Sequence, residues 1–441
     1  MPAIVTNDHR IVAADYFQSN LAAIPTYAFI GGTSEWPDEQ NPPSVNDTIQ
    51  NKLFAYEELV GLKRIQQDNI ISVVPRIDWE FNKVFDEYRD DVNLIDEQNP
   101  ETGSFYQFYV ITDEFNVYKC LSNNYRAEST VKPSGTSISP IQTPDGYKWK
   151  YMYTVLSSDA FTFMTPNFIP CYTSTFNDGG AQWLVQESAV PGTIDNIYVT
   201  DGGIQYTTTN PPTITITGDG TGAQAVPVID NDSGSITAIN IISAGQNYTE
   251  ATVTITSNGD GVGAQATPVI SPINGHGHDA RSELGAIFKM IRIVLDGNEG
   301  GNIATDVSYR KAGIVYRPRS SSDTGIRLAV TNADLYQSGE TITGQTSGAT
   351  GDIVSVDKIR NLLFLTNVVG SFAQFETVSS QTYNATQVNQ AAIETNMPLI
   401  SSVSGPSDVL ENSGEILYLS TRERVLRGLN QTEELRFILQ F

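Results

Sequence analysis

Gln431-Thr432-Glu433-Glu434-Leu435-Arg436-Phe437-Ile438-Leu439-Gln440-Phe441 alternates from Leu435 onward. Leu435, Phe437, Leu439 and Phe441 share one face, and Glu434, Arg436, Ile438 and Gln440 share the other. A period of two is that of a strand with one buried face. Chain ends usually fray and carry small polar residues, so an apolar ending predicts a strand clamped inside a sheet. Upstream, Gly414-Glu415-Ile416-Leu417-Tyr418-Leu419 reads as a second, mostly apolar strand. Thr421 to Gly428, with Arg422, Arg424 and Arg427, is expected to link the two. The pair is expected to close the fold.

Earlier in the chain, short apolar runs alternate with turn chemistry. Asn7 or Asp8 can cap a helix to about Leu21, with Ile11, Ala14, Phe17 and Leu21 as its stripe. Tyr27 to Ile30 reads as a strand ending at Gly31-Gly32. Asp47 with Gln50 resembles a capping box for a helix to about Val60, whose apolar face is Ile49, Leu53, Tyr56 and Val60. Ile70 to Val74 is a buried-strand run stopped by Pro75. Phe105 to Thr112 and Asn116 to Leu121 predict a hairpin, and Pro144-Asp145-Gly146 turns the chain into an aromatic strand through Tyr153.

After Pro191 the texture changes. Residues 194–230 and 236–271 repeat: Ile197 answers Ile239, Gly203 with Tyr206 answers Gly245 with Tyr248, and Ile214 to Thr217 answers Val253 to Thr256. Gly220-Thr221-Gly222-Ala223 answers Gly261-Val262-Gly263-Ala264, and Pro227 answers Pro268. Thr, Val and Ile alternation with glycine corners predicts three short strands per repeat. Ile287 to Leu295 and Ala312 to Tyr316 read as further strands. A second change covers about 326–400, where Gly339 to Gly344 is echoed by Phe375 to Val378.

These readings predict a mainly β protein: a β-sandwich host domain with a few helices in its connections, carrying inserted small β domains. The host occupies 1–190, 276–325 and 406–441; a repeat domain (191–275) and a second β module (326–405) interrupt it. At 441 residues the chain exceeds one ordinary core. The formal charge of -24 repels phosphate backbones, so nucleic-acid binding is not expected. No apolar run reaches the ~20 residues of a membrane span. Met1-Pro2-Ala3-Ile4-Val5-Thr6 lacks the basic and apolar regions of a secretory leader, so none is expected. Cys120 and Cys171 are expected as buried free thiols.

The host pieces resemble the gene-eight type baseplate wedge subunit of T-even-like contractile-tailed phages (myoviruses). The resemblance is carried by Ala3-Ile4-Val5-Thr6, Pro75-Arg76-Ile77-Asp78-Trp79, Tyr118-Lys119-Cys120-Leu121 and Asp145-Gly146-Tyr147-Lys148-Trp149-Lys150-Tyr151. Lys289 to Leu295, Tyr309-Arg310, Ser413 to Tyr418 and Gln431 to Glu434 continue it in family order. It covers residues 1–190, 281–319 and 411–441; the two inserts lie outside it. It implies a β-sandwich without catalysis or cofactor, a structural part of the virion's tail baseplate assembled in the host cytoplasm. The implied partners are wedge proteins of the gene-six, gene-seven and gene-ten types, with a possible homodimer. The alternative is a host-surface glycan-binding or glycan-degrading tail protein.

Candidate chemistry is sparse. His276 and His278 have His-x-His spacing, with Asp279 as the obvious third ligand, and a tight insert-to-host junction is the competing reading. Gly218-x-Gly220-x-Gly222 invites a phosphate loop, but Pro227 and a β-branched run follow where the cradle needs a helix. Asp219 and Asp260 could touch calcium, though the spacing of a dedicated loop is missing. No metal or cofactor is expected. Trp36, Trp79, Trp149 and Trp183 could be sugar platforms or core aromatics. Arg76, Asp78 and Trp79 are either an internal ion pair pinning a strand end or an interface anchor, since Arg and Trp dominate many interfaces. Arg422, Arg424 and Arg427 are a candidate basic patch for a partner.

Overall fold

A computed structural model describes residues 4–383, 386–388 and 393–441. Met1, Pro2 and Ala3, which carry part of the leader reading and of the resemblance, lie outside the described residues, as do 384, 385 and 389–392 of the second module. The chain forms two compact units, Met1–Ile11 with Ile71–Lys289 and Gln440–Phe441, and Val12–Ile70 with Met290–Leu439. The repeat insert belongs wholly to the first and the second β module to the second. The protein is mainly β.

In the second unit, a five-stranded sheet has the order Val403–Ser404, Leu59–Arg64, Thr26–Gly31, Ser308–Tyr316, Glu415–Leu426. Its central strand Thr26–Gly31 is buried throughout because both faces are covered. Ala28 and Ile30 pack with Ile291, Ile293, Leu295, Leu435 and Phe437 from the neighbouring strands Phe288–Asp296 and Thr432–Gln440, which makes a sandwich. Tyr27 and Phe29 point the other way, onto Ala55, Leu399 and Val409. The closing strand Thr432–Gln440 buries Leu435 and Phe437, and the Phe437 ring meets Tyr418 edge-on at 5.6 Å. Leu439 packs only at the margin of that core.

Three local expectations are corrected. Asp47 and Gln50 do not cap the second helix. Thr48 does, accepting from Asn51 N at 3.2 Å, while Asp47 pairs with Lys52 at 2.7 Å. That helix is only Ile49–Phe54, its Ile49 and Leu53 are exposed, and Glu58 at φ 56° turns the chain so that Val60 is buried on a strand. The first helix runs Asn7–Ala23, and the Thr6 hydroxyl accepts from His9 N at 3.3 Å, so the cap lies one residue before the expected pair. Finally, Thr421 to Leu426 is not a link: the strand Glu415–Leu426 continues through it, pairing Thr421 with Lys311 and Leu426 with Ser308.

The first unit carries a four-stranded sheet ordered Tyr109–Ile111, Asn116–Ser122, Lys148–Thr154, Ile141–Gln142. Its aromatic side chains are buried: Tyr147, Trp149, Tyr151 and Tyr153 are almost fully enclosed, with Tyr147 stacked on Trp149 at 5.4 Å.

The repeat has an internal two-fold relation. The three strands of each copy pair antiparallel with those of the other in reverse order: Ile194–Asp201 with Gln265–Ile270, Thr213–Gly218 with Ala251–Thr256, and Thr221–Asp230 with Ser235–Gln246. Registers match under the exchange of copies, since Ile197 opposes Pro268 and its counterpart Ile239 opposes Pro227. Tyr206 and Tyr248 are equivalent buried posts, their hydroxyls accepting from Ala264 N at 3.4 Å and Ala223 N at 3.3 Å. A Cβ on Gly261 would lie 2.2 Å from Tyr206, and one on Gly220 would lie 2.4 Å from Tyr248. Those glycines exist to admit the rings.

The ends of the insert meet: Ser271 N donates to Thr193 O at 2.9 Å, and Thr193 N to Ser271 Oγ at 3.0 Å. A chain whose ends already touch can be shortened with little closure cost. Replacing 194–270 by a short Gly/Ser linker is therefore expected to leave the rest folded, with the thermal midpoint lowered by a few degrees at most. Insoluble product, or loss of the remaining β signal in circular dichroism, is the contrary result.

The second module is built on a seven-stranded sheet, in which the echoed segments sit side by side: Ile342 pairs with Ser380 and Gly344 with Val378. The strand Arg319–Ala329 enters this sheet from before residue 326.

Candidate functional site

Two strands of the first unit place lysines where apolar residues are expected. On Asn116–Ser122 and Lys148–Thr154, Lys119 lies directly opposite Lys150, and both are buried. Like charges so opposed are destabilising unless compensated, and the compensation comes from several elements. Lys119 Nζ donates to Glu283 Oε2 at 2.8 Å and sits 3.9 Å from the centre of the Tyr88 ring. Lys150 Nζ donates to Ile138 O at 2.6 Å. His276 closes the group, with Nδ1 3.1 Å from Lys119 Nζ and Nε2 3.8 Å from Asp195 Oδ2.

The glycines of Gly275-His276-Gly277 have a physical role here. Gly277 has φ +90°, and a Cβ on it would lie 2.6 Å from Val185 and 2.9 Å from Lys150 Cε. Its N–H donates to Glu283 Oε1 at 2.7 Å, so the backbone itself helps hold the carboxylate. Burial, then the Lys119 charge, hold His276 below its usual pKa and keep it neutral, which suits Nδ1 as an acceptor from Lys119. Burial alone would raise Glu283, but the Lys119 charge brings it down to about 2. Burial also lowers Lys119 and Lys150, partly opposed by the carboxylates. His276 and Gly277 follow the insert, so the cluster holds its outgoing stem to the unit that carries it, with Asp195 of the incoming stem 3.8 Å away.

His278 is exposed and takes no part. The His-x-His pair is thus split, one imidazole inward and one outward. No group of three or more potential ligands gathers among the described residues. Zinc content of the purified protein is expected to be the same in wild type and in a His276→Ala, His278→Ala double variant. Stoichiometric zinc lost in that variant is the opposing outcome. Asp219 accepts from Thr249 N at 2.9 Å and Glu250 N at 3.1 Å as well as from the Thr249 hydroxyl, and these bonds hold its pKa at about 2. Its oxygens serve the turn. Gly218 closes the strand Thr213–Gly218, Gly220 lies in the turn and Gly222 in the strand Thr221–Asp230, with no helix after them.

Pro75 to Trp79 lies between two clefts. Arg76 grips Asp78 through Nε and Nη2, at 2.8–3.0 Å, and reaches Thr165 O with Nη1 at 3.3 Å. Trp79 is half-buried and donates from Nε1 to Ser129 Oγ at 3.0 Å. The internal ion pair is present, yet Asp78 remains exposed. One cleft, of about 660 Å³, is lined by Arg76, Ile77, Leu94, Phe105, Phe108 and Phe288, among others. The other, of about 420 Å³, involves Arg76, Asp78, Trp79, Phe115, Lys132 and Met164. Phe105 is 59% exposed at the rim of the larger one.

The C-terminal arginines separate. Arg424 is exposed and Arg422 half-buried. Arg427 is fully buried, pairs with Glu433 at 3.1 Å, and donates to Ala304 O and Gly297 O at 2.7 Å. Its place in a partner-facing patch is withdrawn, because reaching it means opening the closing strands. Of the tryptophans, Trp149 is fully enclosed and Trp36, Trp79 and Trp183 are half-buried. Both cysteines are buried and free.

Sequence reasoning missed Lys119, Lys150 and Glu283. The available signal was a lysine inside each of two strongly apolar runs, Tyr118 to Leu121 and Trp149 to Tyr153. No protein-family profile matches the chain, and no curated protein matches it.

Proposed function

We propose that this chain is a non-enzymatic structural subunit of a contractile phage tail, in the baseplate wedge, of the gene-eight type. The ordered motif set carries the reading, and the positions of its members support it. Tyr118-Lys119-Cys120-Leu121 and Trp149-Lys150-Tyr151 are cross-strand neighbours, with Cys120 opposite Trp149 and Tyr118 opposite Tyr151. Segments far apart in the chain that carry the resemblance thus pair in one ladder. The buried charged group of Lys119, Glu283 and the Gly277 N–H holds the stem that leaves the insert, a structural use.

Partners of the gene-six, gene-seven and gene-ten types, and a second copy in a homodimer, are met through the surface around Arg76, Asp78 and Trp79. There a half-buried Arg and Trp stand between two clefts, the setting in which such residues dominate binding. Arg422 and Arg424 add positive charge to an acidic chain and steer approach.

The test is co-elution of the purified chain with the other wedge proteins of its phage. Arg76→Ala with Trp79→Ala is expected to weaken the complex by about 2 kcal/mol or more, roughly thirtyfold. Arg422→Glu with Arg424→Glu is expected to slow association at low salt and to lose that effect at high salt. No co-elution, together with binding to host polysaccharide or release of reducing ends, favours the glycan reading instead.

A further inference from the structure

The second unit holds a cavity of about 280 Å³ on which four arginines converge: Arg317, Arg319, Arg327 and Arg360. Among the described residues, Asp357 and Glu415 are the acids in its lining, in a chain of net charge -24. The acids are not equivalent. Asp357 is buried and committed, accepting from Arg360 N at 3.0 Å and from Arg317 Nη2 at 3.1 Å. Glu415 meets Arg360 only at 3.8 Å, with both side chains more than half exposed, a pair that solvent screens and that can part.

Two donors in this lining lack an acceptor. Arg327 Nε and Arg317 Nη1 are buried atoms without a hydrogen-bond partner. A buried charged donor left unpaired is costly, and native structures seldom leave one so. Single unpaired Nε atoms occur at Arg292 and Arg422 as well, but here two from different residues face one cavity. Arg317 is held in place by Asp357 and by the Tyr316 ring, 4.7 Å from its guanidinium carbon. Its fork is preorganised. The Ser355 side chain adds a hydroxyl to the lining, and Leu362, Phe364 and Pro398 add an apolar wall.

We propose that this cavity binds a small oxyanion, a phosphate or carboxylate group carried on a compact molecule, held by Arg317, Arg327 and Arg360. Planar guanidinium groups match both oxyanions in bidentate geometry. The acidic surroundings make the pocket selective by position, because elsewhere the surface repels the same ligand. The inference stands apart from the wedge reading, since it concerns a ligand and not a partner protein.

Pyrophosphate and citrate are the probes, titrated into the full-length chain by calorimetry and by thermal shift, against chloride at equal ionic strength. Saturable binding of either in the submillimolar range is expected, with the midpoint rising as the site fills. Arg327→Gln is expected to weaken binding about tenfold or more, the loss of one charge-assisted contact. Arg360→Gln, at an exposed position, gives the same direction with little risk to folding. Lys358→Gln, an exposed charge outside the lining, is expected to bind as wild type. Binding of pyrophosphate with no binding of citrate points to a phosphate ligand, and the reverse to a carboxylate; either supports the site. A shift reproduced by chloride, no saturation below about 10 mM, or equal binding by wild type and Arg360→Gln overturns it.

Discussion

Lys119→Met is expected to destabilise the first unit by about 3–5 kcal/mol, the cost of breaking a buried ion pair by removing one partner. The substitution leaves Glu283 buried with its main counter-charge gone, and it strips His276 of the donor at Nδ1. The check is urea unfolding followed by tryptophan fluorescence, since Trp149 lies on the facing strand. A second change, Glu283→Leu, removes the stranded carboxylate and is expected to restore part of the loss. A Lys119→Met midpoint equal to wild type means the charges are solvated, and the clamp is then wrong.

The same cluster sets an acid limit. Glu283 has a folded pKa of about 2, below its usual 4.5, so its stabilisation is complete above about 4.5 and is lost as pH falls towards 2. His276 is held below its usual 6.5, so the unfolded chain takes up that proton more readily. Stability from this group is therefore full above about 6.5 and declines below it. Both act in one direction: the midpoint falls below about pH 6.5 and falls further below about 4.5. In a Glu283→Gln variant the lower limb flattens while the upper limb, which belongs to His276, remains.

Deleting 435–441 is expected to unfold the second unit. Leu435 and Phe437 are buried at 3% and 2%, and burying two such side chains contributes about 3–6 kcal/mol. Tyr418 loses its ring partner, and the strand Phe288–Asp296 is left with a bare edge open to aggregation. Leu439 and Phe441, on the same face, are only partly buried and add less. Circular dichroism and a thermal melt of the truncated chain decide the matter. A melt like that of wild type means the strand is dispensable to the monomer.

What could be read beforehand followed periodicity. The closing strand, the central run at Tyr27, the hairpin before Leu121 and the three strands of each repeat all carry a period-two or continuous apolar signal over several residues. The pairing of the repeats was not legible, because which strand meets which depends on contacts between copies and not on either copy's pattern. The helix from Asp47 failed for a local reason: Thr48 competes with Asp47 for the cap, and the turn at Glu58 ends the helical stripe early. The link at Thr421 failed because three arginines in eight residues look solvated, whereas Arg422 is half-buried and its own carbonyl accepts from Trp36 Nε1, and Arg427 is enclosed with Glu433. The lysine pair was hidden for the opposite reason. A single lysine in a strand reads as an exposed position, and only register shows that two of them face each other, one of them paired with a buried glutamate.

The proposed function is tested most directly by density at the baseplate of intact contractile tails from a phage whose genome carries this sequence. The proposed function predicts a two-unit β density within each wedge, with the Arg76 to Trp79 surface against a neighbouring subunit. Tails that lack the chain, or that carry it only at the tips of host-binding fibres, would contradict it.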